Sequence, residues 1–235
     1  MTVLEDILTR LRERLVGGHY KPGYKLREQA IACEFDVSRT PVRTAIQRLV
    51  AEGLLEYEAN RGAVVREWTD VDREEIFELR MLVESHATGR TAKAISPAAL
   101  AEMEYHNDRI RRAVYEQGEG ALDEMHEGNF AFHMAVYENC GSTYLAHYGR
   151  SLLDYPMVIR GFYIYSEDEI YESIRQHEEI LSALRAGNER WARAAMECHL
   201  LGAIMRFRKS SQEKAARETD KTDVPASAPA KAMSD

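Results

Sequence analysis

The sequence lacks the features that mark membrane, secreted and disulfide-bonded proteins. It has no run of about 18 apolar residues, so we expect no transmembrane helix. The segment Met1 to Asp6 ends in acidic residues and lacks the apolar core of a signal peptide. The three cysteines, Cys33, Cys140 and Cys198, are far apart and form no CxxC motif. We therefore expect a cytoplasmic protein with reduced thiols.

The sequence is also short of positive charge, although the deficit is uneven. The chain carries 31 Lys and Arg against 39 Asp and Glu, which gives a net charge of −8. Residues 1–67 carry 11 basic and 10 acidic side chains, whereas residues 68–235 carry 20 and 29. Because an acidic surface repels phosphate, any contact with nucleic acid has to be confined to the first 67 residues.

Apolar spacing and turn residues predict three helices and a hairpin in those 67 residues. Ile7, Leu11 and Leu15 fall on one helical stripe, and Gly53 is a helix stop. The predicted elements are helices at 3–16, 26–34 and 39–52 and strands at 54–58 and 63–66. This order is that of a winged helix-turn-helix.

Residues 38–43, with the sequence SRTPVR, form the start of the third predicted helix. Ser38 suits the N-cap position, and the arginines and threonine crowd the first turn. A helix start attracts phosphate through its free N–H groups and its dipole, and arginine reads guanine bidentately in a major groove. The segment therefore predicts the tip of a DNA-reading helix, although the pattern also fits a solvated surface helix.

From Trp68 onward the pattern is helical throughout. Helices are predicted at 70–95, 97–118, 120–139, 142–165, 167–186 and 188–209. The short joints between them predict antiparallel neighbours. Residues 210–235 are rich in Ala, Ser, Pro, Lys and Asp, and we expect them to be disordered. The predicted fold is mainly α, with a winged helix-turn-helix at 1–67, an antiparallel all-helical bundle at 68–209 and a disordered tail at 210–235.

Three histidines fall on three different predicted helices of the bundle. His177 lies 10 residues before Gly187 and His199 lies 12 residues after it, so a hairpin at this glycine brings them to similar heights. Asn129 and His133 share one helix face because they are four residues apart. Three converging imidazoles would suit a borderline metal such as zinc, but most helical histidines lie on a surface or make a single hydrogen bond.

An ordered series of motifs runs through the first domain. It consists of Pro22-Gly23, Leu26, Ser38 to Arg43, Leu49, Glu52-Gly53-Leu54 and Arg61-Gly62. The series resembles the GntR family of bacterial transcriptional regulators over nearly all of residues 1–67. The resemblance implies that Arg39 and Arg43 contact base edges or phosphates and that the wing follows the minor groove. The implied DNA-contacting set is Ser38, Arg39, Thr40, Arg43, Arg27, Gln29, Arg61 and Gly62.

One position of this set departs from the family pattern. The family often has an arginine where Gln29 stands, after Glu28, so one positive charge is missing there. Gln29 can still hydrogen-bond a base or a phosphate, and Arg27 is a candidate replacement for the lost charge.

Four motifs of the second domain carry a further resemblance. They are LRMLVE at 79–84, NFAFH at 129–133, QHEEIL at 176–181 and MECHL at 196–200. Residues 70–208 resemble the effector-binding (FCD) domain of the FadR-type branch of the same family. Six predicted helices rather than seven indicate its shorter, VanR-like subgroup.

The resemblance implies a divalent metal site. Many members of the branch bind the metal through an aspartate, a histidine four residues later and two further histidines. His133, His177 and His199 match the three histidines, and Asn129 stands in the place of the aspartate. An amide oxygen can ligate but adds no negative charge, so the site is weaker and friendlier to an anion. Zinc is the expected metal, with nickel and manganese as alternatives.

The metal of this branch is expected to anchor a carboxylate effector, and Arg80 is the expected second anchor. Arg80 lies in an otherwise apolar run and matches an arginine of the family. A buried arginine needs an anion, which is either the ligand or Glu84 four residues later. Further candidates on the predicted helix at 142–165 are Arg160 and Tyr163, together with Arg150 and Tyr155. For these four residues, an aromatic core with solvated arginines is an equally good explanation.

The sequence thus predicts a transcriptional repressor and no enzyme. Its expected partners are palindromic double-stranded operator DNA, a small carboxylate effector and a second copy of the chain, with no membrane. We expect it in the cytoplasm, at the nucleoid when bound. Two alternatives stay open: a metal-dependent hydrolase with a fused winged helix, and a metal-free regulator that senses an acyl thioester.

Overall fold

The computed structural model of the chain describes residues 2–16, 18–59, 61–118, 120–155, 162 and 164–222. Within these residues the protein is mainly helical with one small antiparallel sheet, which confirms the predicted fold class. Among the described helices, none combines the length and the apolar character that a membrane span requires.

Three helices and a hairpin form the N-terminal part, in the order that the sequence predicts. The helices are α1 (Val3–Val16), α2 (Glu28–Phe35) and α3 (Arg39–Ala51), and the strands are β1 (Leu55–Glu58) and β2 (Gly62–Val65). The strands pair antiparallel, with Leu55 opposite Val65. Ile7, Leu11 and Leu49 are fully buried where α1 packs on α3, so this part has its own apolar core.

Helix α2 begins two residues later than the predicted Leu26. The Leu26 N–H donates to the Ala63 carbonyl over 2.9 Å, and Lys25 forms a β-bridge with Val64. These residues therefore extend the sheet, since paired backbone groups stabilise an extended segment despite its helix propensity. Arg27 takes the N-cap position of α2 as a result.

Six described helices form the C-terminal part, as predicted. They are α4 (Asp70–Ala92), α5 (Pro97–Glu116), α6 (Ala121–Glu138), α7 (Thr143–Leu153), α8 (Glu167–Arg185) and α9 (Glu189–Thr222). Ser96, Ser142 and Ser166 cap α5, α7 and α8, because each hydroxyl accepts a backbone N–H of the first turn. Helix α9 packs along both α4 and α8, and α5 packs along α6.

The segment between the two parts is tied to the first turn of α4. Thr69 and Asp72 form a capping box there. Arg66 Nη2 lies 2.8 Å from Asp72 Oδ1, and its guanidinium lies 4.4 Å from the centre of the Trp68 ring. Trp68 packs edge-on against Tyr155 with ring centroids 5.1 Å apart. An ion pair and aromatic contacts therefore fix the joint.

Helix α7 is shorter than predicted. It ends at Leu153 with Asp154 as its C-cap, whereas the sequence pattern predicts a helix to residue 165. Pro156 explains this end, because proline has no backbone N–H and disfavours helical geometry in the residue before it. Residues 156–161 and 163 lie outside the described residues.

Helix α9 is longer than predicted. It runs to Thr222, so the expectation of disorder is wrong for residues 210–222, which are rich in the helix formers Glu, Lys, Ala and Arg. Residues 223–235 of the predicted tail lie outside the described residues. Arg208 Nε donates to Glu74 over 2.6 Å, and Ser211 Oγ lies 3.1 Å from Asp70 Oδ1. The later part of α9 therefore lies beside the first turn of α4.

Candidate functional site

The start of α3 is exposed and open to an anion. Ser38 is the N-cap residue, and among the described residues its hydroxyl makes no capping hydrogen bond. Ser38, Arg39 and Thr40 are all exposed. The first N–H groups of a helix have no acceptor within the helix, and the helix dipole favours negative charge there. The predicted tip therefore presents backbone donors and arginine side chains together.

One carboxylate holds the two arginines of this tip. Arg39 Nη2 donates to Glu28 Oε2 over 3.2 Å, while Arg43 Nε and Nη2 donate to Oε1 and Oε2 over 3.0 and 3.1 Å. The hydrogen bond from Arg43 lowers the pKa of Glu28, so the carboxylate is charged at neutral pH. Glu28 thus places both guanidiniums side by side at the start of α3.

The other predicted DNA-contacting residues lie on α2 and on the wing. Arg27 and Gln29 are exposed around the start of α2, where the Gln29 amide lies 3.5 Å from Cys33 Sγ. Arg61 donates to the Gly23 carbonyl over 3.3 Å, which ties the wing tip to the turn before α2. Gly62 has φ +84°, a backbone conformation that strains any side-chain-bearing residue.

The three predicted histidines meet in the interior of the helical part. His133 on α6, His177 on α8 and His199 on α9 are each at most 4% exposed. One ring nitrogen of each lies within 4.8 Å of the others, and the Nε2 atoms of His133 and His199 are 3.3 Å apart. The ring centroids of His177 and His199 are 4.6 Å apart, which confirms the equal heights expected from the hairpin at Gly187.

The second nitrogen of each histidine faces an oxygen outside the cluster. His133 Nδ1 contacts Glu84 Oε1, His177 Nδ1 lies 3.0 Å from Asn107 Oδ1, and His199 Nδ1 lies 3.3 Å from Gln176 Oε1. Because these oxygens accept, each Nδ1 carries the proton and each Nε2 keeps a lone pair. Ligand histidines of metal sites are oriented in this way.

The electrostatics of the cluster keep His177 and His199 neutral. Burial, and after it the charges of neighbouring histidines and arginines, holds the pKa of both His177 and His199 well below the ordinary value. Within the described chain, the buried His177 Nε2 has no hydrogen-bond partner. Two nitrogens bound to one tetrahedral zinc at about 2.0–2.1 Å are about 3.3 Å apart. The three imidazole donors, and the 3.3 Å between the Nε2 atoms of His133 and His199, therefore fit a zinc-like ion.

A buried ion pair supports His133. Arg80 Nε donates to Glu84 Oε2 over 3.1 Å, and the two residues are 3% and 0% exposed. Of the two anions considered for Arg80, Glu84 is the one that it contacts in the structure. Burial raises the pKa of Glu84, but Arg80 and His133 outweigh that effect and keep the pKa below its usual value. Glu84 thus links the arginine to the histidine cluster.

A small cavity of about 30 Å³ opens onto the cluster. Its walls are Phe77, Arg80, Asn129, His133, Phe162, Tyr165, Ser173, His199, Ala203 and Phe207. Asn129, Arg80 and two of the histidines therefore face one space, as the resemblance implies. The other two candidates, Arg160 and Tyr163, lie outside the described residues.

The last two effector-binding candidates on the predicted helix at 142–165 are Arg150 and Tyr155, and both pack elsewhere. The Arg150 guanidinium lies 5.7 Å from the centre of the Phe130 ring, and Tyr155 contacts Trp68. Neither is among the described residues that line the cavity.

Sequence reasoning missed the polar residues that orient the histidines. Asn107 is buried between Met103 and Ile110 on the inward face of α5. A lone amide in an apolar helical stripe is the signal that could have revealed it. Gln176 precedes His177 in the QHEEIL motif, but the histidine that it contacts is His199, 23 residues away.

Two family profiles match the chain. The profile of the FCD domain matches residues 75–202, and that of bacterial regulatory proteins of the gntR family matches residues 4–65. These ranges contain the histidine cluster and the arginine tip.

Curated relatives and solved structures agree with the two profiles. The transcriptional regulator LutR of Bacillus subtilis is 29% identical over 204 residues, which cover 78% of this chain and 91% of LutR. The transcriptional repressor GlaR of Escherichia coli is 26% identical over 206 residues, covering 83% and 90%. The structure of E. coli McbR/YncC has the same fold with a TM-score of 0.76, at 23% identity and 89% and 99% coverage.

These relatives are regulators of transcription, in agreement with the prediction of a regulator rather than an enzyme. A winged helix-turn-helix that matches one profile and a helical domain that matches the other occupy a single chain. The protein therefore belongs to the GntR family of DNA-binding transcriptional regulators and carries an FCD domain.

Proposed function

We propose that this protein is a repressor that releases its operator when a small organic acid binds at a metal in the helical domain. The observation that carries the proposal is the convergence of three buried imidazoles whose Nδ1 atoms all face acceptor oxygens. That arrangement leaves a lone pair on each Nε2, within a cluster in which one ring nitrogen of each histidine lies within 4.8 Å of the others. Lone pairs that face each other in the interior are unfavourable without a bound cation.

His133, His177 and His199 would hold the metal, and Asn129 stands at the cavity as the further ligand. We propose zinc, because three imidazoles and an open position suit it, with nickel and manganese as the other candidates. When bound, the metal supplies a positively charged coordination position for a carboxylate oxygen. The neutral imidazoles and the Asn129 amide leave the charge of the metal uncompensated, so an anion is the favoured ligand.

The size of the cavity supports a link between ligand binding and movement. A volume of about 30 Å³ accommodates roughly two waters, since one water needs about 10–15 Å³. An organic acid therefore enters only if the walls move apart. A ligand that binds only the opened form shifts the equilibrium towards that form, which is the condition for control of the DNA-binding part.

We also propose that the protein acts as a homodimer on a palindromic operator. Leu79 and Leu82 on α4 and Leu201 and Met205 on α9 are exposed apolar side chains. Because Arg208 on α9 pairs with Glu74 on α4, the two helices are antiparallel, and Leu82 and Leu201 come to similar heights. Exposed apolar patches of this kind mark interaction surfaces, and a two-fold dimer reads a two-fold DNA site.

The DNA-contacting set Ser38, Arg39, Thr40, Arg43, Arg27, Gln29, Arg61 and Gly62 belongs to this proposal. Its support is the exposed helix start and the pairing of both arginines with one carboxylate. The division at residues 67 and 68 is likewise proposed, and separate apolar cores on either side support it. A regulator of this kind acts at the chromosome, so we propose that it works in the cytoplasm.

The proposal is tested by comparing zinc-loaded and metal-stripped protein. A duplex that binds tightly is first selected from a random-sequence library, and its mobility shift is titrated with organic acids. We expect acids to release DNA from the zinc-loaded protein and not from the stripped protein, and we expect elemental analysis to find about one metal per chain. Equal responses of the two forms would refute the metal role and favour a metal-free regulator of the acyl-thioester type.

A further inference from the structure

A second buried arginine, Arg206, lies near the histidine cluster. It is on α9, four residues beyond the end of the FCD match at residue 202, and is 6% exposed. Its Nη2 donates to Gln176 Oε1 over 3.3 Å and lies 2.9 Å from Glu172 Oε2. Its Nε and Nη1 are buried and make no well-formed hydrogen bond among the described residues, although the Tyr165 hydroxyl lies near enough to interact with the guanidinium. Three of the five N–H donors of this guanidinium therefore lack a well-formed hydrogen bond to the described residues.

The guanidinium of Arg206 lies beside one wall residue of the cavity described above. It is 5.1 Å from the centre of the Tyr165 ring, and that ring forms part of the cavity wall. Ala203 and Phe207, which flank Arg206 on the same helix, also line the cavity. Gly202 makes room for this arrangement, because a Cβ there would lie 2.9 Å from Gln176 Nε2 and 3.4 Å from Arg206 Nη2.

The charges around the cavity do not balance. Glu84, fully buried, compensates Arg80. Arg206 has only Glu172, whose side chain is 52% exposed and therefore largely screened by water. A divalent metal would add two further positive charges. The positive charge without a buried counter-ion therefore lies at the metal and at Arg206, which are both close to one cavity.

We propose that Arg206 is a second anion-binding side chain, so that the domain selects organic acids with two carboxylates. This inference rests on the proposed function, because it assigns the class of acid that the same site takes. One carboxylate binds at the metal and Arg80, and the other accepts from the free N–H groups of Arg206. Arginine suits this role because its planar guanidinium stays charged and donates more than one hydrogen bond to a carboxylate. A monocarboxylate satisfies one of the two anchors only.

Arg206 also contacts Gln176, which orients His199, so a purely positional role has to be separated from ligand binding. The hydrogen bond from Arg206 to Gln176 Oε1 holds the amide in the orientation in which the same oxygen can also accept from His199 Nδ1. If Arg206 acted only through this chain, removing the Gln176 amide would have the same effect as removing the guanidinium. Gln176→Ala is therefore the matched control for Arg206→Gln.

The test measures binding of matched acids to the zinc-loaded full chain by calorimetry. The probes are malonate, succinate and glutarate, each paired with the monocarboxylate of equal length: propionate, butyrate and valerate. We expect the wild type to bind at least one dicarboxylate about 10- to 100-fold more tightly than its partner. Arg206→Gln should abolish that preference and leave monocarboxylate binding and zinc content unchanged, while Gln176→Ala should keep the preference.

Several outcomes would overturn the inference. If the wild type binds both members of every pair equally well, the inference of dicarboxylate selection is refuted by the wild type alone, while the proposed sensing of organic acids still stands. An undiminished preference in folded Arg206→Gln, or loss of the preference in both variants together with loss of zinc, refutes the anchoring role. If the wild type binds none of the six acids, both this inference and the proposed sensing of organic acids fail, while operator binding and zinc content still test the rest of the proposed function.

Discussion

Replacing Glu84 by glutamine removes one charge from the most deeply buried ion pair of the described chain. Glu84 is fully buried and accepts from Arg80 with one oxygen while the other contacts His133. Glutamine has nearly the same volume, so it leaves no cavity. It offers a single carbonyl oxygen in place of the two and brings no negative charge. Arg80, 3% exposed, is then left as a buried cation without an anion.

The expected cost follows from that burial. Removing one partner of a buried ion pair destabilises proteins by about 3–5 kcal/mol. For a chain of this size, 1 kcal/mol corresponds to roughly 2–4 °C in melting temperature, so we expect a drop of about 6–20 °C. The single oxygen of glutamine cannot accept from Arg80 and from His133 at once, and loss of a partner that orients a ligand histidine typically weakens metal binding about 10- to 100-fold.

Thermal melts of metal-free protein and a competitive zinc titration measure the two effects separately. The control is Glu189→Gln, which also removes a carboxylate with two basic partners, Lys93 and Arg193, but at the surface. We expect that control to leave both the melting temperature and the zinc affinity nearly unchanged, because exposed ion pairs contribute little to stability. If Glu84→Gln proved no more harmful than Glu189→Gln in both assays, the assignment of Glu84 as the link between Arg80 and the cluster would be wrong.

Three further outcomes are expected. Arg43→Ala should weaken operator binding by about 1–3 kcal/mol and lower its salt dependence. The control Arg48→Ala, in the last turn of the same helix, should do neither. Equal effects of the two variants in anisotropy titrations would refute the prediction that the start of α3 contacts DNA. Glu28→Gln should raise the affinity for scrambled DNA, because the site loses one negative charge. It should also reduce the preference for the operator, because Arg39 and Arg43 lose the carboxylate that positions them both. An unchanged preference would contradict this prediction. The pKa values of His177 and His199 are lowered in the folded protein, so the unfolded chain takes up protons first as the pH falls below about 6.5, and the metal-free protein should lose stability from that pH downward. Melting temperatures that stay constant between pH 7 and 5 would count against neutral, buried imidazoles.

The sequence predicted the positions that depend on local geometry. The stripe of Ile7, Leu11 and Leu15 predicted α1. Gly187 predicted the turn of the hairpin that brings His177 and His199 together. Helical periodicity and a turn act over a few residues, so the pattern that specifies them is visible in a short window.

Contacts between distant segments were the part that could not be predicted. Glu84, four residues from Arg80 on the same helix, was one of the two anions that the sequence offered for that arginine, but its contact with His133 spans 49 residues. Asn107 meets His177 across 70 residues. Such pairs depend on how helices rotate about their axes when they pack, and no periodicity within either helix determines that rotation. The early end of α7, by contrast, has a local signal in the sequence, because Pro156 disfavours a helix that continues through it.

Helix α9 is a single rod of 34 residues that contains His199 and later passes the first turn of α4. The 12 residues from His199 to Ser211 span about 18 Å at 1.5 Å per residue. A tilt of about 5° that pivots at His199 therefore displaces Ser211 by about 1.6 Å. Ser211 contacts Asp70, which directly follows the joint that carries the winged helix-turn-helix. A small tilt of α9 at the histidines would thus be enlarged, by lever length alone, where the helix meets the residue that follows the joint to the DNA-binding part.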